Sequence, residues 1–430
     1  MKIVSRNFAK NDTVFIMNNI EILPREVTSL AKELLEEASI INLQGARQVG
    51  KSTIAKILCE KLNGIYRTLD DATTLENALG NPDSFVAQAK DKLLVIDEIQ
   101  LAPELMGNLK IIADDIRDES KFLITGSVSL LGLEKAKDSL AGRVDDLQIF
   151  PFSECEIEKS DFRVFNLLEG DFKIKDSTTT REEYISKIVQ GGYPILVSRK
   201  THYSRLSWAQ SYIRKLSQHD AVLLKSNLDS ELFTKIFSGI CALSTTELNK
   251  SRGNDFGLSR YKFEEYLKIF KRLFLLDELP CWSNNLLDRA TKRAKIYVND
   301  SGLMLLMNRV TPENIEGKNL NFLGSATETF VISEIKKQLA NSFSGYNLYH
   351  YRDYDQREID LIIETPEGKI VAIEIKSKSL IKQSDLKNIK WLQQKLNDQF
   401  LHGIIFHTGT QMAESAPGIY SIPIDKLWTE

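Results

Sequence analysis

Apolar positions along the chain change their spacing twice, dividing it into three stretches of different texture. In the first, Val27, Leu30, Leu34 and Leu35 recur at helical spacing within residues 24–38, behind a proline suited to a helix start. Short apolar runs then alternate with helical segments. Strands are predicted at 40–43, 66–69, 93–96 and 122–125, with helices at 53–62 and 83–90 between them. Alternation of this kind predicts an α/β fold, a mostly parallel sheet with helices on both faces.

From about residue 150 the pattern becomes helical. Segments 181–225 and 231–276 carry the 3.6-residue period and almost no strand signal. After Pro312 it changes again. A helix is expected at 326–340, then strands at 347–351, 359–364 and 369–376 with the turn Pro366-Glu367-Gly368 between the last two. A helix at 383–395 and a strand at 403–407 follow, which reads as a second α/β unit. The expected units are 1–155, 156–310 and 311–430. A chain of 430 residues exceeds what one core usually holds, so several units are consistent with its length.

Composition narrows the chemistry. With 42% hydrophobic and 27% charged residues the chain is an ordinary folded protein, and its net charge of −3 leaves any nucleic-acid contact to local basic patches. Cys59, Cys155, Cys241 and Cys281 form no CxxC pair, which argues for free structural thiols in a reducing compartment rather than a zinc site or a disulfide framework. The start, MKIVSRNFAKNDTVF, has no apolar signal core, and no apolar run approaches the ~18–20 residues that span a bilayer. A cytoplasmic protein without membrane contact is expected.

Gly45-Ala46-Arg47-Gln48-Val49-Gly50-Lys51-Ser52 satisfies GxxxxGK[ST] between a predicted strand and a predicted helix, with Thr53 continuing the helix. Glycines let the backbone curl so that successive N–H groups meet one phosphate. Lys51 is expected on the β/γ-phosphates, and Ser52 on magnesium at a helix N-terminus. Leu93–Ile96 followed by Asp97-Glu98 supplies a buried strand with an acid for the metal and a second to orient or deprotonate water. ATP and Mg2+ are the expected cofactors. Ser127, ending a third strand, is a candidate γ-phosphate sensor, and Arg143 a candidate finger offered to a neighbouring subunit, which would require a homo-oligomer.

QGARQVGKST, LLVIDEIQ, FLITGS and LAGRVDDLQIFPFSE together resemble the bacterial and archaeal AAA-type ATPases whose C-terminal half is a domain of unknown function. Arg25, Gly191-Gly192-Tyr193-Pro194 and the C-terminal acids extend the resemblance over nearly the whole chain. It implies an ATPase core, a winged-helix-like helical region and a restriction-endonuclease-like domain, with Walker roles for Lys51, Ser52, Asp97 and Glu98. Ser127 stands where many related ATPases have Asn or Thr, and no second sensor arginine is evident.

In the middle region Thr246 or Ser259 is expected to cap a helix, and Tyr266, Phe270 and Phe274 to share a helical face ahead of strand-like LFLLDEL. Arg289, Lys292, Arg293 and Lys295 form a basic cluster suited to phosphates. Further on, Glu358-Ile-Asp360, thirteen residues and then Glu374-Ile-Lys376 resemble the PD-(D/E)xK nuclease core. Side chains alternate along a strand, so Glu374 and Lys376 share one face. Asp360 on the adjacent strand, with Glu328 from the preceding helix, would complete an oxygen set for magnesium, and Lys376 would position the attacking water.

The leading expectation is therefore an ATPase coupled to a nuclease-like domain acting on DNA or other nucleic acid. A switch that binds DNA or protein without cleavage is the alternative. A small-metabolite kinase is disfavoured, because nothing resembles a lid of clustered arginines and Asp97-Glu98 suits water as acceptor.

Overall fold

The computed structural model describes residues 15–17, 20–114, 120–129, 142–161, 164–317, 320–340 and 345–429. An antiparallel pair, β1 (Phe15–Met17) and β2 (Ile20–Ile22), precedes the helix Glu26–Glu37, which buries Val27, Leu30, Ala31 and Leu35. Next come β3 (Ile40–Gln44), β4 (Ile65–Thr68), β5 (Leu93–Asp97), β6 (Lys121–Gly126) and β7 (Val144–Gln148). All are parallel, in the order β4-β5-β6-β3-β7.

Alternation along these strands feeds two cores. Ile41, Leu43, Val95 and Leu123 join one, while Ile40, Leu94, Ile96, Phe122 and Ile124 join the other. A strand covered on both faces must be apolar throughout, and every residue of β5 is buried. The expected helix at 83–90 is an α-helical turn, Pro82–Val86, tightening into the 3-10 turn Ala87–Ala89.

The middle region is helical, as its period predicts, with principal helices Arg181–Gln190, His202–Lys215, Ser230–Ala242, Arg260–Arg272 and Ser301–Met307. Its strand content exceeds expectation. β8 (Thr246–Glu247), β9 (Leu276–Leu279) and β10 (Lys295–Val298) form an antiparallel sheet in the order β8-β10-β9. Of the two expected caps, Ser259 accepts from Lys262 N at 3.3 Å, whereas Thr246 lies in β8. Tyr266 and Phe270 are buried on one face, but Phe274 lies past the helix end in the left-handed region, φ 57°.

Helix Leu320–Ala340 leads to a six-stranded mixed sheet of β11 (Asn347–Arg352), β12 (Glu358–Glu364), β13 (Ile370–Lys376), β14 (Phe400–His407), β15 (Ala413–Ala416) and β16 (Ile419–Pro423), ordered β11-β12-β13-β14-β16-β15. The β12–β13 hairpin is antiparallel and turns through residues 365–369, while β13 and β14 are parallel and joined by a crossover containing the helix Lys387–Leu396. The four cysteines are free and buried. Among the described residues no helix is long and apolar enough to cross a membrane.

Candidate functional site

The loop after β3 needs its two glycines for different reasons. A Cβ on Gly45 would lie 2.2 Å from the carbonyl oxygen of Ile149, and Gly50, the residue before helix Lys51–Lys61, sits at φ +105°. Arg25 braces this curve from outside. It donates to the Val49 and Phe150 carbonyls at 2.9 and 2.8 Å and pairs with Glu156 at 2.7 Å. Ala46 and Val49 are buried inside the loop, and Thr53 is half-buried one turn on.

Lys51 is buried, and its ammonium donates to the carbonyls of Gly45 and Ala46 at 2.9 and 2.8 Å. Burial pulls its pKa down to about 8, against the pull of Glu98, Asp220 and Asp97. Ser52 Oγ donates to Asp97 Oδ1 at 3.0 Å, so the loop hydroxyl and the acid that ends β5 already converge. Two residues missing from the sequence reading complete the Asp97 shell. Tyr66 OH donates to Oδ2 at 2.6 Å and Thr125 Oγ1 to Oδ1 at 2.5 Å. The order β5-β6-β3 explains Thr125, because β6 lies between the P-loop strand and the acid strand.

Glu98 adopts φ 62°, turns out of β5 and donates its N–H to Thr125 Oγ1 at 3.1 Å. Its carboxylate accepts from Gln100, and burial raises its proton affinity while Lys51 opposes the rise. Ser127 Oγ lies beside it and donates to Asp220 Oδ1 at 2.8 Å. Asp220 also pairs with Arg47 at 2.7 Å. It ends a π-helical turn, Leu216–Asp220, that follows the helix His202–Lys215. The same helix holds the loop tip, where Trp208 Nε1 donates to Gln48 Oε1 at 2.8 Å and Tyr212 OH to the Arg47 carbonyl at 3.1 Å. Gln48 stands at φ 64°. The middle region thus reads both the loop tip and the end of β6.

From Tyr212 the contacts continue. Its hydroxyl lies 3.2 Å from that of Tyr193, which accepts from Asn299 Nδ2 at 3.0 Å, and Asn299 directly follows β10. Tyr193 belongs to the Gly191–Pro194 motif. There a Cβ on Gly191 would meet Asp300 Oδ1 at 2.4 Å, and Gly192 N donates to Asp300 Oδ2 at 2.7 Å.

Arg143 sits elsewhere. Val144 pairs in register with Ile40 and Gln148 with Gln44, so Arg143 precedes the end of β7 remote from the P-loop, roughly 13 Å of strand away. It is partly exposed and paired with Asp114 of the same chain. A role on its own chain's phosphates does not fit this position.

At the C-terminal end the hairpin places acids as the alternation predicts. Glu374 is buried and pairs with Lys376 on the same face at 2.5 Å, while Ile373 and Ile375 are buried on the other. Asp360 Oδ2 accepts from the Ile375 N–H at 2.8 Å, just past the Leu361–Ile373 pair. Burial, and then the nearby Asp360, raise the proton affinity of both Glu328 and Glu374.

The basic cluster is corrected here. Lys295 is not on a loop but buried on β10, with Nζ 2.5 Å from Glu358, 3.1 Å from Glu328 and 3.9 Å from Asp360. Tyr297, two residues on and on the same strand face, donates to Glu328 Oε1 at 2.8 Å. Arg289 pairs with Glu364 at 2.7 Å and lies over the rings of Trp282 and Tyr349. Lys292 and Arg293 remain on the surface. With Arg352 they line a cavity of about 610 Å³ that reaches Glu358 between the middle and C-terminal regions.

A divalent ion suits the two sites unequally. At Ser52–Asp97 a hydroxyl and a carboxylate oxygen converge, the donor chemistry magnesium takes. Around Asp360 an ammonium already lies among the carboxylates. Among the described residues no three carboxylate, imidazole or thiolate side chains are grouped to hold a metal.

Residues 37–158 match a family model described as AAA domain, 181–314 one described as a domain of unknown function (DUF8612), and 323–427 another (DUF4143). Uncharacterized proteins of Mycobacterium bovis and Mycobacterium tuberculosis are each 23% identical over 414 residues, 94% of this chain and 84% of theirs. The Walker-type ATPase of Pyrococcus abyssi is 15% identical with a TM-score of 0.43, covering 67% of this chain and 96% of its own. The Holliday junction branch migration motor of Thermotoga maritima is 19% identical with a TM-score of 0.31, covering 60% and 90%. The P-loop, the acid pair and the parallel five-stranded sheet fall within the first of the three family matches, so residues 37–158 form a domain of the AAA type.

Proposed function

We propose that this chain is a magnesium-dependent ATPase whose nucleotide state is passed through its middle region to a nuclease-like C-terminal domain acting on nucleic acid. The observation that carries the ATPase reading is the convergence of Lys51, Ser52, Asp97 and Glu98 on one point at the ends of β3 and β5. Gly45–Thr53 cradle the triphosphate, and Lys51 leaves the Gly45 and Ala46 carbonyls for the β/γ-phosphates. Ser52 and Asp97 would hold magnesium, which when bound would supply positive charge against the phosphates. Glu98, its basicity raised by burial, orients and deprotonates the attacking water. Ser127, joined to Asp220, reports the γ-phosphate to the helix His202–Lys215.

Arg143 acts, in this reading, as a finger for a neighbouring copy, which makes the active form a homo-oligomer. The division at 1–155, 156–310 and 311–430 belongs to the same proposal, with the helices and antiparallel sheet of the second unit forming a winged-helix-like connector. Support for a nuclease-like third unit, and through it for a nucleic-acid partner, is the hairpin carrying Asp360, Glu374 and Lys376, since the neighbouring cavity balances Lys292, Arg293 and Arg352 with Glu247, Asp353 and Glu358. The second reading, a switch that binds without cutting, is favoured by the Lys295 ammonium among the acids.

Phosphate release from Mg-ATP by the full chain should be lost in Lys51→Ala and in Glu98→Gln, with Glu98→Gln still retaining nucleotide. Unchanged release in both ends the ATPase reading. Magnesium- or manganese-dependent cleavage of DNA and RNA, compared with Asp360→Ala, separates the two C-terminal readings. Products that persist unchanged in Asp360→Ala remove the nuclease half.

A further inference from the structure

We infer that Lys295 is a tethered cation occupying the place of the divalent metal in the C-terminal acidic cluster, so that the domain takes up no metal while β10 is docked against it. The inference rests on the nuclease-like reading for the identity of the metal position, and adds to it what fills that position.

The geometry is that of a coordination site served by nitrogen from outside. Glu328 arrives from the helix Leu320–Ala340, and Glu358 and Asp360 from β12, so the carboxylates belong to the C-terminal region. The cation belongs to the middle region. Lys295 opens β10, and its side chain is only 2% exposed although lysine rarely buries its head group. One Nζ meets two carboxylates at 2.5 and 3.1 Å and a third at 3.9 Å.

Placement is fixed from several sides. β10 is the central strand of its sheet, held by β8 and β9. Tyr297 donates to the same Glu328 oxygen that faces Lys295. Asp360 Oδ2 is committed to the Ile375 N–H and Glu374 Oε2 to Lys376, while Glu374 Oε1 is buried without a hydrogen-bond partner, a single open oxygen rather than a set. Magnesium needs near-octahedral oxygens at about 2.0–2.1 Å. To gather them here an ion would have to share the space of a buried ammonium, and like charges at that separation repel. The ammonium and a divalent ion carry the same sign and need the same oxygens, so nitrogen and metal exclude each other.

The experiment is a manganese titration of the full chain without nucleotide, followed by electron paramagnetic resonance of free Mn2+. Wild type and Asp360→Asn should bind alike, because no Asp360-dependent site is open. Lys295→Met should gain one Mn2+ site at least tenfold tighter than anything it shares with wild type. That site should vanish in the double variant Lys295→Met/Asp360→Asn. An Asp360-dependent ion in wild type overturns the inference, and so does a folded Lys295→Met that gains none. Should Lys295→Met not fold, anomalous scattering from manganese-soaked wild-type crystals decides the matter. A peak among Glu328, Asp360 and Glu374 overturns the inference, and an intact Lys295 without a peak upholds it. A cleavage assay on manganese-loaded Lys295→Met separates the two ideas. Metal uptake without products ends the nuclease reading and leaves the tethered cation standing.

Discussion

The nucleotide site and the C-terminal acidic cluster each receive one charged side chain from the middle region, and the two charges have opposite signs. Asp220 approaches the P-loop, where cationic groups gather for an anionic ligand, and takes Arg47 and Ser127 as partners. Lys295 approaches a nest of carboxylates and takes Glu328 and Glu358. Each is the electrostatic image of what its site is built to attract. The difference lies in number, because both middle-region residues are buried, 3% and 2%, and both nearest charged partners are part-exposed, 38% and 36%. Asp220 meets one cation and one hydroxyl, whereas the Lys295 ammonium lies among three carboxylates. On the tethered-cation inference, a metal takes the place of Lys295 only when β10 withdraws.

The comparison is broken most severely at the nucleotide end. Lys51→Ala should reduce ATP turnover by on the order of 10²–10³, by analogy with removing one preorganised donor to transition-state charge. Phosphate release at saturating Mg-ATP measures this, and a loss of only a few-fold would mean that the loop holds phosphate without the ammonium.

The larger charge cluster at the other end should dominate stability. Lys295→Met leaves Glu328, Glu358 and Asp360 without their buried counter-charge, a loss of about 3–5 kcal/mol for a buried pair. Arg47→Met leaves buried Asp220 its hydrogen bond from Ser127 and should cost less, about 1–3 kcal/mol. Differential scanning calorimetry of the two variants tests the contrast directly, and equal shifts would erase it. The raised proton affinity of Glu328 predicts in addition that the Lys295→Met penalty shrinks on acidification, because protonated Glu328 no longer needs the cation.

Acid itself should separate the two ends. His350, His402 and His407 lie on β11 and β14, and burial lowers each to about 4. Their folded pKa values lie below the unfolded value of about 6.5, so the unfolded chain binds more protons between those limits. Stability is therefore full above about pH 6.5 and falls as pH drops toward 4, by up to about 3 kcal/mol for each imidazole. Hydrogen exchange at pH 5 should show β14 opening before β5. Simultaneous opening would place the acid sensitivity elsewhere.

A smaller effect is expected where the middle region touches the P-loop. Asp220→Asn keeps the shape but loses the charge facing Arg47. It should weaken nucleotide response by about tenfold, the scale of one charge-assisted hydrogen bond. Fluorescent nucleotide binding and turnover would report it, and an unchanged pair of constants would reduce Asp220 to packing.

How much of this was legible in the sequence follows from how the residues are spaced. The P-loop is eight contiguous residues and Asp97-Glu98 end an apolar run, so both could be read directly, as could the shared face of Glu374 and Lys376. Asp220 could not, because 93 and 173 residues separate it from its partners Ser127 and Arg47. Tyr66 and Thr125 reach Asp97 only through strand order, which local period does not encode. Lys295 falls into the basic cluster suited to phosphates because three cations crowd just before it. Yet Lys295-Ile296-Tyr297-Val298 alternates polar heads with β-branched residues, the signature of a short strand offering one polar face. That signal was present and was outweighed by charge. Arg143 was assigned its role by motif position alone, and the parallel register puts it at the far end of β7.

The row Asn299, Tyr193, Tyr212 and the Arg47 carbonyl has a direction built into it. A phenol owns a single proton, and Tyr212 gives its own to Arg47, so Tyr193 must give to Tyr212 and must itself receive from the amide of Asn299. All three dipoles therefore point the same way, toward the phosphate loop, and each strengthens the next. A peptide rotation at Arg47 would leave the last proton with no acceptor, and the cheapest remedy is to reverse the entire file, turning the Asn299 amide over beside β10. Infrared isotope shifts of the two phenols, with and without nucleotide, would reveal whether that reversal occurs.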